Sequence, residues 1–307
     1  MKLDAKTLKG SYPPLVTPFK DGKVDYDAYA KLVEFQVKNG SHGIVVCGTT
    51  SEPSTLSVEE RQRCLEVALE ASGGKNRKIE IVAATGSQSH AETVALSAHA
   101  DKTDADALLI VTPYYIRPSQ KGLTAYYLDL AKRVGKPWMI YHIPGRAAVS
   151  VTLDTMKAIV DGAPNFVGMK HAVDDLGFVS KCIDAFGPEF RIFVGLEDLS
   201  FPMMAVGACG LMNAVGNLAP KRLVALCELV FAGKLEAAKK LHYELFEINQ
   251  AVFYDTNPTP MKYMMKRLGI LERNEHRLPM LPAAPELEKR LDGVLARAGL
   301  IAKAAAE

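Results

Sequence analysis

"HGIVVCGTTSEPSTLSVEERQRCLEVALEASGGKNRKIEIVAATG", residues 42–86, holds the pattern that decides the fold. It opens on a short apolar run, residues 42–48, and closes on another, residues 79–86. Between them "SVEERQRCLEVALEAS" starts with Ser57 and Glu60 at the spacing of a capping box, ahead of an apolar stripe. Short runs that are nearly continuous in apolar residues suit parallel strands covered on both faces. Strand, helix, strand is the unit.

The unit recurs in both directions along the chain. Further strand candidates are "GSYPPLVTP" (10–18), "ALLIVTP" (107–113), "PWMIYHIP" (137–144), "FVGMK" (166–170), "RIFVG" (191–195) and "GLMNAVG" (210–216). Helical patterns fill the gaps. In "DYDAYAKLVEFQVKNG", Tyr29, Leu32, Val33, Phe35 and Val37 fall near one broad face, and Asn39-Gly40 is a good stop. Eight such alternations within about 225 residues predict an α/β fold, a (β/α)₈ TIM barrel. A doubly wound open sheet is the competitor, but it favours a glycine-rich turn after the first strand, and "FKDGKVD" is not one. After Ala219 the texture is all helical. Residues 1–225 are read as the catalytic barrel and 226–307 as a helical C-terminal extension, with an alanine-rich end expected to fray.

Composition narrows the function. Of 307 residues, 48% are hydrophobic and 23% charged, ordinary values for a soluble globular protein. Lys and Arg number 37 against 35 Asp and Glu, a formal charge of +2 that argues against a nucleic-acid surface. Five scattered cysteines (Cys47, Cys64, Cys182, Cys209, Cys227) without CxxC spacing read as buried thiols in a reducing compartment, most simply the cytoplasm. "MKLDAKTLKG" lacks the apolar run of a signal peptide, and no apolar stretch has the length of a bilayer span. With no histidine cluster, HExxH or CxxC, neither a structural nor a catalytic metal is expected. Gly207, Gly210 and Gly216 are too loosely spaced for a P-loop.

Catalytic residues of a barrel lie at the carboxyl ends of its strands. Those ends bring Thr49, Thr50, Tyr114, Tyr115, Tyr141, Arg146 and Lys170 toward one mouth. Each has an ordinary explanation. Thr49-Thr50-Ser51 suits a polar turn, Tyr114-Tyr115 rim packing, Tyr141 the core and Arg146 the surface. His142, with no second ligand at metal spacing, reads as a core histidine. Lys170, directly after Phe166, Val167 and Met169, is either a lysine that has reached solvent or one desolvated until its neutral amine attacks a carbonyl. The combination tells more than any one of these residues. A neutral amine condenses with a 2-oxo acid to an imine, a tyrosine coupled to a threonine shuttles protons, and an arginine binds a carboxylate.

The chain also resembles the dihydrodipicolinate synthase / N-acetylneuraminate lyase family of Schiff-base, pyruvate-handling barrels. "GSYPPLVTPF", "GTTSEPSTLS", "TPYYIRPSQKGL", "YHIPGRA", "GMKHA", "NPTPMK" and "RLPMLP" carry the resemblance, in order and over almost the whole chain. It implies Lys170 as the Schiff-base lysine and Tyr141 as the proton-relaying phenol. Thr49 would link Tyr141 to Tyr115, and Tyr115 would reach the site of a neighbouring subunit. Thr50 and Gly48 would bind the pyruvate carboxylate, with Met212 also at the substrate, and Arg146 would bind the carboxylate of the second substrate. It further implies no cofactor beyond the covalent lysine imine, no membrane or nucleic-acid partner, and a homotetramer built as a dimer of dimers. Thr49-Thr50, Tyr114-Tyr115 and Arg146 look most like the synthase branch, which condenses pyruvate with aspartate 4-semialdehyde on the way to lysine and diaminopimelate.

Departures from the family pattern bear on the second substrate. The usual Gly-Thr-Thr-Gly-Glu has Ser51 in place of its last glycine, expected to put a side chain where backbone approaches the ligand. His142 stands for asparagine, Ala147 for threonine and His171 for glutamate. Gln88, Glu92 and Tyr114 occupy the place of an allosteric lysine pocket, whereas Pro53, Val58 and Arg61 differ from lysine-sensitive members, so lysine inhibition is expected to be weak or absent. Two other readings stay open: an aldolase or dehydratase of the same family acting on a sugar acid or hydroxy acid, and a non-catalytic barrel that binds a carboxylate.

Overall fold

The structure, a computed structural model, describes residues 3, 4 and 6–302; the alanine-rich residues 303–307 lie outside them. Eight parallel strands form the sheet: β1 (Gly10–Ser11), β2 (Gly43–Val46), β3 (Glu80–Ala84), β4 (Ala107–Val111), β5 (Trp138–His142), β6 (Phe166–His171), β7 (Arg191–Val194) and β8 (Gly210–Leu211). They lie in the order β1-β8-β7-β6-β5-β4-β3-β2. The ring closes between β1 and β2, where Pro14 bridges Val45 in parallel and the Leu15 N–H donates to the Val45 carbonyl at 3.0 Å. β1 is short because Pro13 and Pro14, which follow it, have no N–H to donate to a ladder. The expected (β/α)₈ barrel is the fold.

Helices follow the strands: α1 (Tyr26–Lys38), α2 (Val58–Ala71), α3 (His90–Asp101), α4 (Gln120–Ala131), α5 (Leu153–Gly162), α6 (Leu176–Phe186), α7 (Ser200–Ala205) and α8 (Pro220–Phe231). Polar side chains satisfy their first N–H groups. Ser57 and Glu60 form the capping box on α2, and Asp25, Ser89, Ser119, Thr152 and Asp175 cap α1, α3, α4, α5 and α6. On α1, Tyr29, Leu32 and Val33 are buried as the periodicity predicts; so is Gln36, whose amide donates to the Gly216 carbonyl at 3.1 Å. Beyond the barrel run α9 (Leu235–Ala251), α10 (Thr259–Arg267) and α11 (Pro285–Arg297).

Strand residues divide between two apolar layers. Val45, Val82, Leu109, Met139, Tyr141, Val167 and Phe193 fill the lumen, closed below by Leu8 and Tyr12. Ile44, Ile81, Leu108, Ile140, Met169 and Ile192 face the helices. Alternation would put Phe166, Gly168 and Lys170 on one face of β6, and Phe166 faces the helices. A bulge changes this. Trp138 and Met139 pair with Phe166 and Gly168, leaving Val167 as an extra residue on β6. Val167 therefore points into the lumen while Met169, two residues on, points out. Lys170 then pairs with Tyr141 on the lumen face. The bulge re-aims the lysine from helix layer to barrel interior.

Glycine is required at the bulge, since a Cβ at Gly168 would lie 1.9 Å from the Arg191 carbonyl oxygen. Gly168→Ala is expected to destabilise the barrel by about 3 kcal/mol through forced displacement of β7. Urea unfolding against the parent chain measures it, and an unchanged midpoint would contradict the bulge geometry.

Candidate active site

Lys170 is only 4% exposed. Its Nζ lies 4.4 Å from the centroid of the Tyr141 ring. Gly195, just past β7, leaves room for the lysine, because a Cβ there would meet Lys170 Cε and Ala172 Cβ at 2.8 Å. Tyr141 points its hydroxyl up to Thr49, whose Oγ1 is 3.1 Å away. Three strand ends thus converge: β6 supplies the amine, β5 the phenol, and the turn after β2 the hydroxyl.

The turn after β2 is held firmly. Cys47 and Glu52 both adopt left-handed backbone conformations, φ 59° and 55°, on either side of a single 3₁₀ turn, Thr49–Ser51. Thr50 Oγ1 accepts a hydrogen bond from the Asn257 amide at 3.0 Å. Ser51 does not project toward the ligand as expected. Its hydroxyl donates to the Leu15 carbonyl at 2.6 Å, turned toward the barrel seam, and its carbonyl accepts from Thr17 at 2.8 Å. The 3₁₀ turn directs this side chain inward, so no glycine is needed there.

Glu52 anchors the turn from below. Its carboxylate meets Lys262 Nζ at 2.7 Å, and His276 Nδ1 lies 3.2 Å from the same oxygen. Burial raises the Glu52 pKa, but His276 and Lys262 overcome this and hold it below the usual carboxylate range. Burial likewise lowers Lys262 below the usual lysine range in spite of Glu52. Lys262 is fully buried and ion-paired, which leaves no amine free for chemistry. Lys170 has no carboxylate partner within 4 Å among the described residues.

Above these residues opens a cavity of about 720 Å³. Gly48, Thr49, Tyr141, Arg146 and Ala147 are on its wall; Lys170 sits behind Tyr141 and is not a wall residue. Arg146 projects from a single helical turn, Pro144–Ala147, and has no carboxylate within 4 Å among the described residues. Met212 lies in the lumen layer with Tyr141, below the cavity. Gln88, Glu92 and Tyr114 line the same continuous cavity and do not form a separate pocket. Arg61 closes that side, its guanidinium donating to the Ala84 and Gly86 carbonyls at 2.9 and 3.2 Å. Tyr115 is not brought to Thr49. It is 85% exposed, with φ 76°, and points out of the chain.

Three contributors escaped the sequence reading. Asn257 was visible only as part of "NPTPMK", and Gly195 only as a strand end. Glu197, in the turn after β7, is buried with one carboxylate oxygen on the Ala214 N–H at 2.6 Å. Burial pushes its carboxyl up to about 7, against the lowering effects of the Ala214 N–H and Lys170.

A sequence profile of the dihydrodipicolinate synthetase family matches residues 7–298. The chain belongs to this family. The 4-hydroxy-tetrahydrodipicolinate synthase of Thermus thermophilus is 41% identical to it, covering 96% of this chain and 98% of its own. A crystal structure of dihydrodipicolinate synthase from Aquifex aeolicus matches with a TM-score of 0.92 at 37% identity, over 95% of this chain and 98% of that one. The enzyme from Acinetobacter baumannii, solved in complex with pyruvate, matches with a TM-score of 0.91 at 34% identity, over 96% of this chain and all of its own (100%).

Set against the family pattern, two departures turn out to face away from the cavity. His142 and His171 follow Tyr141 and Lys170 on β5 and β6, so alternation turns them outward, where both rings pack on Phe178. Their Nδ1 atoms are 3.3 Å apart. The Val151 N–H donates to His142 Nε2 at 3.2 Å, which puts the His142 proton on Nδ1, shared with His171. His171 then donates from Nε2 to the Asp175 carbonyl at 3.2 Å. The pair is neutral and its hydrogen bonds form one chain. His142, read from sequence as a core histidine, occupies the core with this partner.

Burial and the neighbouring His171 lower the His142 pKa to about 4, and burial lowers that of His171. Unfolded histidines titrate near 6.5, so the unfolded chain binds more protons as pH falls below that value. Stability should hold above pH about 6.5 and fall steadily toward pH 4. His142 alone should account for a loss of about 2 kcal/mol by pH 5. Urea midpoints at pH 7.5 and 5 test this: His142→Asn combined with His171→Gln should flatten the slope, and an unchanged slope would contradict it.

Proposed function

We propose that this chain is a Schiff-base lyase that condenses pyruvate with aspartate 4-semialdehyde, as a 4-hydroxy-tetrahydrodipicolinate synthase does. The observation that carries the reading is the lumen-facing pair of Lys170 and Tyr141, in register on adjacent strands, with the phenol hydrogen-bonded to Thr49. Lys170, as the free amine, attacks the ketone carbon of pyruvate. Loss of water from the carbinolamine needs protons delivered to the leaving oxygen, and Tyr141 with Thr49 relays them. The protonated imine then acts as the electron sink for forming the enamine, so this route calls for no cofactor. The enamine carbon attacks the aldehyde and forms the new carbon–carbon bond.

Binding follows from the other groups. The Thr50 hydroxyl and the Gly48–Thr49 backbone receive the pyruvate carboxylate, with Met212 beneath it. Arg146, without an internal carboxylate, offers a bidentate site to the second substrate. Tyr115, exposed and with left-handed backbone, is directed toward another copy of the chain and completes the proton relay there. The assembly proposed is a homotetramer arranged as a dimer of dimers. The orientation of Ser51, His142 and His171 away from the cavity supports aspartate semialdehyde over a sugar acid, since of these three and Ala147 only Ala147 is on the wall.

Borohydride reduction with pyruvate, followed by peptide mapping, should place the adduct on Lys170. Lys170→Ala should trap none, while Tyr141→Phe should form the adduct about 10²- to 10⁴-fold more slowly. Adding aspartate semialdehyde should then consume pyruvate, and a panel of sugar acids and hydroxy acids should not. Trapping of pyruvate without consumption of the semialdehyde would turn the assignment to the sugar-acid branch.

Lysine is expected to inhibit weakly or not at all. Arg61 places a fixed positive charge and its side chain where Gln88, Glu92 and Tyr114 line the cavity, which disfavours a second ammonium. A lysine titration of the condensation rate measures this, and strong inhibition at micromolar lysine would refute it.

A further inference from the structure

The turn that carries Thr50 is fastened to the C-terminal helices at two neighbouring points. Lys262, one turn into α10, pairs with Glu52 at 2.7 Å. Asn257, in the connection between α9 and α10, donates from Nδ2 to Thr50 Oγ1 at 3.0 Å. The segment around Asn257 is itself braced. The Thr259 N–H donates to the Thr256 carbonyl at 2.8 Å and the Lys262 N–H to the Pro258 carbonyl at 2.9 Å, while the Lys262 ammonium also reaches the Glu275 carbonyl at 2.6 Å. Asn257 and Thr50 are both buried, so amide and hydroxyl meet in one fixed geometry. Asn257 also stands on the wall of the active-site cavity, with Thr256 and Pro258 on either side of it.

The direction of that bond decides what the hydroxyl can do. A threonine hydroxyl has one proton to give and lone pairs that accept. An amide nitrogen only donates, so Thr50 Oγ1 is the acceptor toward Asn257. The Thr50 proton has no acceptor among the described residues. Ser51, the next residue, spends its proton on the Leu15 carbonyl. A buried hydroxyl proton left without an acceptor costs free energy, and a ligand oxygen removes that cost. An N–H received on Oγ1 also polarises the O–H and strengthens the bond it gives.

We propose that Asn257 is a positioning residue for the 2-oxo acid: by holding Thr50 as an acceptor, it commits the Thr50 proton to the substrate carboxylate. The inference rests on Thr50 receiving the pyruvate carboxylate, and it adds the reason why this hydroxyl donates to an anion. Asn257 acts through Thr50 and takes no part in the proton relay of Tyr141 and Thr49. Its loss therefore weakens pyruvate binding and leaves the chemistry at Lys170 largely intact.

The test is borohydride trapping by the full-length chain over a range of pyruvate concentrations, which reads pyruvate binding without the second substrate. Asn257→Ala should raise the half-saturating concentration about tenfold. The rate at saturation should fall by less than about threefold. Asn257→Asp keeps the shape but reverses the bond, because its carboxylate takes the Thr50 proton and repels the substrate's. There the half-saturating concentration should rise about a hundredfold. In a Thr50→Val background, Asn257→Ala should add less than about twofold, since its effect passes through the hydroxyl. Circular dichroism checks the fold of each chain, and the isosteric Asn257→Asp serves where Asn257→Ala does not fold. A parent-like Asn257→Asp would mean that Thr50 donates to the amide oxygen, and would overturn the proposal. So would a cost of Asn257→Ala that is the same with and without the Thr50 hydroxyl, or a loss confined to the saturated rate. Failure of the parent chain to trap pyruvate would overturn the lyase reading and this inference together; a parent that traps beside indifferent variants would overturn the inference alone.

Discussion

Pairing between β5 and β6 determines what every residue at the mouth can do. Because successive side chains on a strand face opposite ways, one ladder decides which residues reach the lumen and which reach the helices. The extra residue at Val167 shifts that parity near the start of β6. Upstream of it, Phe166 joins the aromatic layer with Trp138 beneath the helices; downstream, Lys170 lies beside Tyr141 and His171 beside His142. Without the extra residue the lysine would enter the apolar shell, where its ammonium would find neither water nor a partner. The bulge therefore creates the site, and Gly168 is the residue that the close approach of Arg191 demands.

The same parity separates variable positions from chemical ones. His142 and His171 stand directly next to the phenol and the lysine in sequence, yet they serve an outward-facing hydrogen-bond chain. A residue adjacent to a reactive group along a strand is its farthest neighbour across the sheet.

Much of this was legible in the sequence, and the residues show where legibility stopped. Apolar runs and the Ser57–Glu60 capping box marked strands and α2, since both are local signals. Lysine, tyrosine, threonine and arginine at strand ends were found because a barrel gathers those ends at one face. The bulge was hidden, because a single added residue leaves composition and hydropathy unchanged. Asn257 on Thr50 and Lys262 on Glu52 were hidden for another reason: the partners lie 207 and 210 residues apart, and no local pattern joins them. Ser51 misled because a glycine's absence was taken for an intruding side chain, when the 3₁₀ turn sends its hydroxyl to Leu15.

The Glu52–Lys262–His276 cluster also sets an order of assembly. The strands that carry Tyr141 and Lys170 are complete once residue 171 has been made, and the ring once residue 211 has. The turn bearing Thr49 and Thr50 is not. Its fastenings at Asn257, Lys262, His276 and Arg277, the last gripping Glu60 through two contacts of 2.7 Å, come from the final sixth of the chain. A chain emerging from the ribosome with the barrel intact has this turn held through Ser51 to Leu15 and Thr17, while Thr50 and Glu52 still lack their partners. Lys170 and Tyr141 are in place early, and the partners that fix Thr50 and Glu52 come last.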